Sequence, residues 1–238
     1  MDNKFIIIVT QYNAVEYIKL CLDSIVSQTY KNYEVVVVDD CSTDGTLDII
    51  RTYPFHIVSH PKNICCSAIN TIEAIRLVSP KDDDVIVLVS GDDYLADEHV
   101  LDYLNKAYQD DTLMTYGQFE PLSKGYSNFC KPIDDIRGYR HSGEWLASHL
   151  ITFKKKLWDL IDDDDLRRED GDYGHCSFDV AILYPMLEMC GDKYHKFIDR
   201  VLYIYNDMNP SCIYKILPKE NLKEAEYFRN KTPYNELL

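Results

Sequence analysis

The chain lacks the marks of most membrane, nucleic-acid and cofactor proteins. No stretch reaches the roughly 18 to 20 consecutive apolar residues of a membrane span. The opening apolar run, Phe5 to Val9, is too short for a signal-peptide core, and Asp2 stands where a basic segment would lie. No G-x-G-x-x-G and no Walker A sequence occurs, which disfavours a dehydrogenase and a P-loop NTPase. Positive charge is short: 25 Lys+Arg against 40 Asp+Glu leave a net charge of −15. Nucleic acid and anionic membranes reward clustered cations, so both are poor partners for such a chain. A phosphate ligand then needs a divalent cation to supply the missing charge. The eight cysteines include no CxxC pair and no zinc spacing with histidine, and adjacent Cys65 and Cys66 fit a disulfide framework poorly. Reduced, mostly buried thiols are expected, with a cytoplasmic location and no integral membrane segment.

What is present is a core-forming pattern. The chain has 238 residues, 46% of them hydrophobic, enough to bury roughly 70% of its unfolded surface. FIIIV (5 to 9), YEVVVV (33 to 38), FHIV (55 to 58) and VIVLVS (85 to 90) are continuous apolar runs. Segments of helical period separate them, at 15 to 26, 46 to 53, 63 to 78 and from about Asp97 to Tyr108. Strands apolar along their whole length are covered on both faces, and strand–helix–strand spacing implies right-handed crossovers. The fold class expected is α/β: a Rossmann-like, doubly wound, mainly parallel sheet with helices on both faces.

Past Asp110 the sequence predicts a strand at 113 to 120, loop to about 142, helical pieces at 144 to 150 and 153 to 161, and a helix at 177 to 190 kinked or broken at Pro185. A late strand at 196 to 206 and a polar, helix-prone tail follow. The whole is read as one domain, 1–238: a first half (1–110), a second half that completes it (111–217) and a C-terminal tail (218–238).

In a parallel sheet, ligands bind beyond the carboxyl ends of the strands. Three polar clusters fall there: Thr10 to Asn13, Asp39 to Gly45, and Ser90 to Asp93. Any one strand-end Asp is ordinarily a cap or turn residue; three clusters on one edge, two with paired carboxylates, are read as a site. Paired Asp without a glycine-rich loop suggests a hard cation bridging carboxylates and a diphosphate, with Asp92 and Asp93 as candidates and Gly91 allowing close approach. Asp39 is placed to accept a hydrogen bond from a base N–H, a role that suits uracil.

These residues carry a resemblance. VVVVDDCSTDGT (35 to 46) is similar to the strand–turn–helix signature of the family 2 glycosyltransferases of GT-A fold. IIIVTQYNAVEYIKLCLDSIVSQTY (6 to 30) resembles their opening strand and helix, and VLVSGDDYL (87 to 95) their acidic metal motif. HLITFKKKLW (149 to 158), SFDVAILYPMLEMCG (177 to 191) and VLYIYNDMNPS (201 to 211) look like their acceptor half, so the resemblance implies a nucleotide-sugar-binding half at 1–110 and an acceptor-binding half at 111–217. The resemblance implies a glycosyltransferase moving a hexosyl group from a UDP-sugar, UDP-glucose being favoured, to a glycan, lipid or protein hydroxyl, with Mn2+ or Mg2+ as cofactor. The candidate nucleotide and donor contacts are Thr10, Tyr12, Asp39, Asp40, Asn63 and Asp92. Asp92 and Asp93 would meet the metal, His149 and Lys154 the acceptor or diphosphate, and Asp179 would be the base. Ser90, Cys65, Ile69, Phe178 and Asn206 depart from the family's usual residues. The competing classes are a sugar-phosphate nucleotidyltransferase, whose glycine-rich opening loop is missing from TQYNAVEYI, and a non-enzymatic nucleotide-binding module.

Overall fold

A computed structural model describes residues 2–126 and 128–237. Its strands are β1 (Phe5–Gln11), β2 (Tyr33–Asp39), β3 (His56–Ser59), β4 (Val85–Ser90), β5 (Tyr94–Leu95), β6 (Met114–Pro121), β7 (Thr152–Lys154) and β8 (His195–Tyr205). The α-helices are α1 (Ile18–Val26), α2 (Thr46–Ile50), α3 (Ser67–Val78), α4 (Val100–Ala107), α5 (Ile136–Tyr139), α6 (Lys155–Trp158), α7 (Phe178–Cys190), α8 (Ile213–Ile216) and α9 (Pro218–Arg229). The strands form one sheet in the order β3-β2-β1-β4-β7-β6-β8-β5. β1 to β4 pair in parallel, as do β6 and β8, whereas β7 and β5 run antiparallel to their neighbours. The expected α/β sheet is therefore present, mixed but mostly parallel.

The continuous apolar runs have a direct physical cause. Successive side chains of a strand point to opposite faces, and here both faces are covered. Ile6, Ile8, Val36, Val38 and Ile86 join one core cluster. Phe5, Ile7, Val35, Val37, Val85 and Val87 join the other. Each buried Val or Ile contributes about 1.5–3 kcal/mol of transfer free energy, so a one-residue slip of register is strongly disfavoured. On α1 the buried face is Ile18, Cys21, Leu22 and Ile25, while Val15 and Val26 are exposed.

The second half departs from the expectation in three places. Residues 144 to 150 form no helix. Their backbone groups find other partners: the Tyr139 hydroxyl accepts from the Leu146 and Ala147 N–H groups (2.8 and 3.2 Å), and Leu146 O accepts from Lys131 N (3.1 Å). The stretch 153 to 161 divides into β7, which inserts between β4 and β6, and the single turn of α6. α7 runs unbroken through Pro185, because Val180 to Cys190 are all buried and packing on every side holds the helix together.

The C-terminal segment is packed as core. Arg140 and Glu188 form a buried bidentate pair (2.5 and 2.6 Å), closed by Phe228 O, which accepts from Arg140 Nη1 (2.9 Å), and by Tyr234 N, which donates to Glu188 (2.9 Å). No helix of the described residues is long and apolar enough to cross a membrane.

Candidate active site

The carboxyl ends of β1, β2 and β4 lie side by side, with Gln11 opposite Asp39 and Thr10 opposite both Val38 and Ser90. Thr10 is partly exposed at this edge and Tyr12 is 46% exposed just beyond it. The first two loops are stitched together. Asn13 N donates to Ser42 Oγ (2.8 Å) and Thr43 N to Asn13 Oδ1 (2.8 Å), while Val15 N and Thr46 N donate to the two oxygens of Asp44 (3.1 and 3.0 Å). Gly45 opens α2 at φ +96°, a left-handed conformation that costs a glycine little.

Asp39 is buried, and its two oxygens accept from the Gln11 side-chain amide and from Ser42 N (3.2 Å for the latter). Asp40, also buried, takes the N–H groups of Ile64 and Cys65 (both 2.7 Å), so it shapes the loop that presents exposed Asn63. Asp40 is thus the anchor of the loop at 63–65, the candidate donor loop.

The acidic pair after β4 separates into two different groups. Asp93 is 1% exposed and both its oxygens are engaged, by the Tyr203 hydroxyl and by Asn206 N (2.7 Å each). Burial, then the adjacent Asp92 charge, pushes its carboxyl well above the usual carboxylate range. Each Asp93 oxygen thus accepts one hydrogen bond and keeps a second lone pair, so the residue is first of all a brace between β4 and β8 and retains capacity for a shared cation. Asp92 is partly exposed; Asn209 Nδ2 donates to its Oδ2 (2.7 Å), and Cys212 Sγ lies 3.9 Å from that oxygen. Burial raises its carboxyl, partly offset by Asn209.

Among the described residues no group of three or more His, Cys, Asp or Glu could hold a metal. A Mg2+-type ion is commonly held by one or two carboxylates plus substrate phosphates, and Asp92 fits that shared arrangement. A cation there would supply the charge that a diphosphate needs in this acidic cleft.

His149 and Lys154 are placed otherwise than expected. The His149 ring stacks on Tyr203 (4.8 Å between centroids) and Tyr205 (5.3 Å), and burial lowers its pKa to about 4. It is a neutral ring backing the tyrosine that holds Asp93, not a cation for a diphosphate. Lys154 pairs with Val85 at the start of β4, the opposite edge of the sheet, with its Nζ 3.5 Å from Asp83. Lys155 and Lys156 are likewise paired, with Asp159 and Asp83. The lysine run is corrected to a structural cluster remote from the site.

Asp179 stands in the first turn of α7 and is half-buried; its Oδ1 accepts from Val180 N (2.9 Å). Burial raises its pKa to about 6, with a smaller contribution from the charge of Glu224. The turn before it docks on the donor loop: His175 Nδ1 lies 2.8 Å from Cys65 O, and Cys66 Sγ 3.3 Å from Gly174 O. Through these contacts the segment leading into α7 is docked on the loop that Asp40 holds. Tyr203, Asn209, Cys212 and Glu224 take part in holding the site and were not picked out as site residues from the sequence. Only the strand-end position of the residues near Asn206 hinted at the first three, and nothing in the polar tail marked Glu224.

An open, mostly parallel sheet whose strand ends carry oxygen-rich loops, with no glycine-rich loop, is the α/β architecture of the GT-A fold, and the superpositions below match it. The chain belongs to Glycosyl transferase family 2, whose profile matches residues 6–164. It is 29% identical over 127 residues to the poly(ribitol-phosphate) beta-glucosyltransferase of Bacillus spizizenii, which covers 50% of this chain and 20% of that protein. Among solved structures, Staphylococcus aureus TarS 1-349 in complex with UDP-GlcNAc superposes with a TM-score of 0.66 at 18% identity, covering 93% of this chain and 64% of that one. The mannosyltransferase PcManGT from Pyrobaculum calidifontis, in complex with GDP-Man and Mn2+, gives 0.67 at 18% identity, covering 98% and 66%. At this identity the structural likeness carries the fold. The chain spans a fifth or less of the length of several curated relatives.

Proposed function

We propose that the protein transfers a hexosyl group from a UDP-sugar, with UDP-glucose as the favoured donor, to a hydroxyl of a glycan, lipid or protein acceptor. The observation that carries the reading is Asp179: a carboxyl raised to about 6, with one oxygen outside the described hydrogen bonds, set beside the donor loop. Such a group is ionised at neutral pH yet basic enough to accept a proton, the property a general base needs. In the proposed step the acceptor oxygen bonds to the anomeric carbon as its proton passes to Asp179. The bond from the anomeric carbon to the diphosphate oxygen breaks, and UDP leaves with the electron pair. Mn2+ or Mg2+, held by Asp92 with the diphosphate, would offset the leaving charge.

Support comes from the family, from a relative named as a glucosyltransferase, and from neighbours bound to UDP-GlcNAc or to GDP-Man and Mn2+. Thr10, Tyr12, Asp39 and Asn63 would line the uridine pocket, with Asp40 and Asp93 fixing the loops behind it. A thermal-shift and hydrolysis panel of UDP- and GDP-sugars, with and without Mn2+, tests donor and metal together. Stabilisation by GDP-mannose and not by any UDP-sugar would overturn the donor assignment.

A further inference from the structure

We propose that Glu224 of α9 is a positioning residue: it clamps the backbone of residues 175–177 and thereby fixes the start of α7, and Asp179 with it, against the donor loop. The inference rests on the reading of Asp179 as the base and deepens it.

The geometry is that of a carboxylate spent wholly on one loop. Glu224 Oε1 accepts from Cys176 N (2.8 Å) and Ser177 N (2.9 Å), and Oε2 accepts from His175 N (3.1 Å). The residue is 8% exposed. Two of these N–H groups precede the N-cap residue and the third is the N-cap's own, so the carboxylate grips the approach to the helix rather than its first turn. Ser177, the N-cap residue, makes no side-chain cap bond; its hydroxyl donates instead to Asn221 O (2.9 Å). Asn221 Nδ2 in turn donates to Cys176 O (2.8 Å), a second grip from the same helix. Gly174 permits the approach, because a Cβ there would stand 2.8 Å from Glu224 Oε1 and 2.7 Å from the Phe228 ring. The opposite side of the loop is the one that meets Cys65 and Cys66. The loop is therefore held between α9 and the segment that Asp40 organises, and Asp179 lies two residues past its end.

The titratable and charged groups around the loop are Glu224 and Glu220 from α9, Arg168 from the preceding turn, Cys65 from the donor loop, and His175 and Cys176 of the loop itself. Of these, Glu224 is the one whose charge acts on Asp179, and it raises that carboxyl. Glu224→Gln removes the charge and one of the acceptors; Asn221→Ala loosens the grip without changing charge.

The test compares wild type, Glu224→Gln, Asn221→Ala and Asp179→Asn in UDP-glucose hydrolysis with Mn2+, in UDP binding, and in NMR titration of the Asp179 carboxyl. Amide exchange at residues 175–177 is followed in the same proteins. The expected result for Glu224→Gln is a tenfold or larger loss of kcat, KM and UDP binding within twofold, faster exchange at 175–177, and an Asp179 titration moved to lower pH. Asn221→Ala should lower kcat less and leave the titration in place. Wild-type exchange at 175–177 together with an unmoved Asp179 titration in Glu224→Gln overturns the proposal, as does a loss that lies wholly in KM. The two readings fail separately: full turnover in Asp179→Asn removes the base assignment, whereas loss in Asp179→Asn with wild-type behaviour of both α9 variants removes only the role of Glu224.

Discussion

Around the ends of β1 and β2, Asp39, Asp40 and Asp44 each have both carboxylate oxygens in hydrogen bonds, mostly from backbone N–H groups of neighbouring loops. Asp92 and Asp179 each engage one oxygen with other residues and leave the second outside the described bonds. Asp93 has the first pattern although it sits next to Asp92 in the chain. The difference separates two uses of the same side chain. A filled carboxylate, each oxygen already accepting a bond from the protein, holds a loop in shape, because a lost bond leaves an N–H to find a new partner, at a cost of about 1–3 kcal/mol where water does not reach it. A carboxylate that is desolvated but under-bonded keeps capacity for a cation or a proton.

The sharpest way to break this comparison is Asp179→Asn, which should cut sugar transfer by about 10²–10⁴-fold while UDP binding, read by thermal shift, is retained. Next in size are the filled carboxylates: Asp40→Ala should lower stability by about 2–4 kcal/mol in urea unfolding, since two backbone N–H groups lose their partner. Asp92→Asn should lower Mn2+-dependent donor turnover about 10–100-fold with little change in unfolding midpoint; a large midpoint drop would place Asp92 among the filled carboxylates. A smaller effect follows from proton linkage. The Asp179 pKa of about 6 in the folded state lies above its ordinary value of 3.8. The native state thus binds this proton more tightly, and the contribution is fully present below 3.8 and is lost as pH rises through about 6. Asp179→Asn should therefore melt higher than wild type at pH 7.5, by about 2–4 °C for each kcal/mol of the linkage, and the two proteins should converge only as pH falls below about 3.8. Activity runs the other way and should rise to a plateau above pH 6. Smallest of all, Lys154→Ala should leave turnover within about twofold, as expected for a surface-edge ion pair.

Most of the sheet was legible because its cause is local. A strand covered on both faces must be apolar at every position, and 85 to 90 announces itself in that way and is β4. The polar clusters after β1, β2 and β4 were legible for the same reason: strand ends fix which edge they occupy. What could not be read depends on partners distant in the chain. Residues 144 to 150 carry helical spacing, yet Tyr139 and Lys131 offer their backbone groups other bonds. Asp92 and Asp93 look equivalent in sequence, and only β8 and the turn after it, more than 100 residues on, tell them apart. Lys154 was misplaced because β7 runs antiparallel, which carries it to the far edge.

The buried Arg140–Glu188 pair ties the two ends of the chain into one cooperative unit. Its remaining hydrogen bonds come from Phe228 and Tyr234, late in the sequence. One face of β1, β2 and β4 shares its core cluster with α7 and Phe228, so the first strands are covered on that side only by residues far along the chain. Removing residues 218 to 234 would strip two bonds from a buried ion pair and uncover α7, and such a shortened chain should lose solubility and a single cooperative unfolding transition.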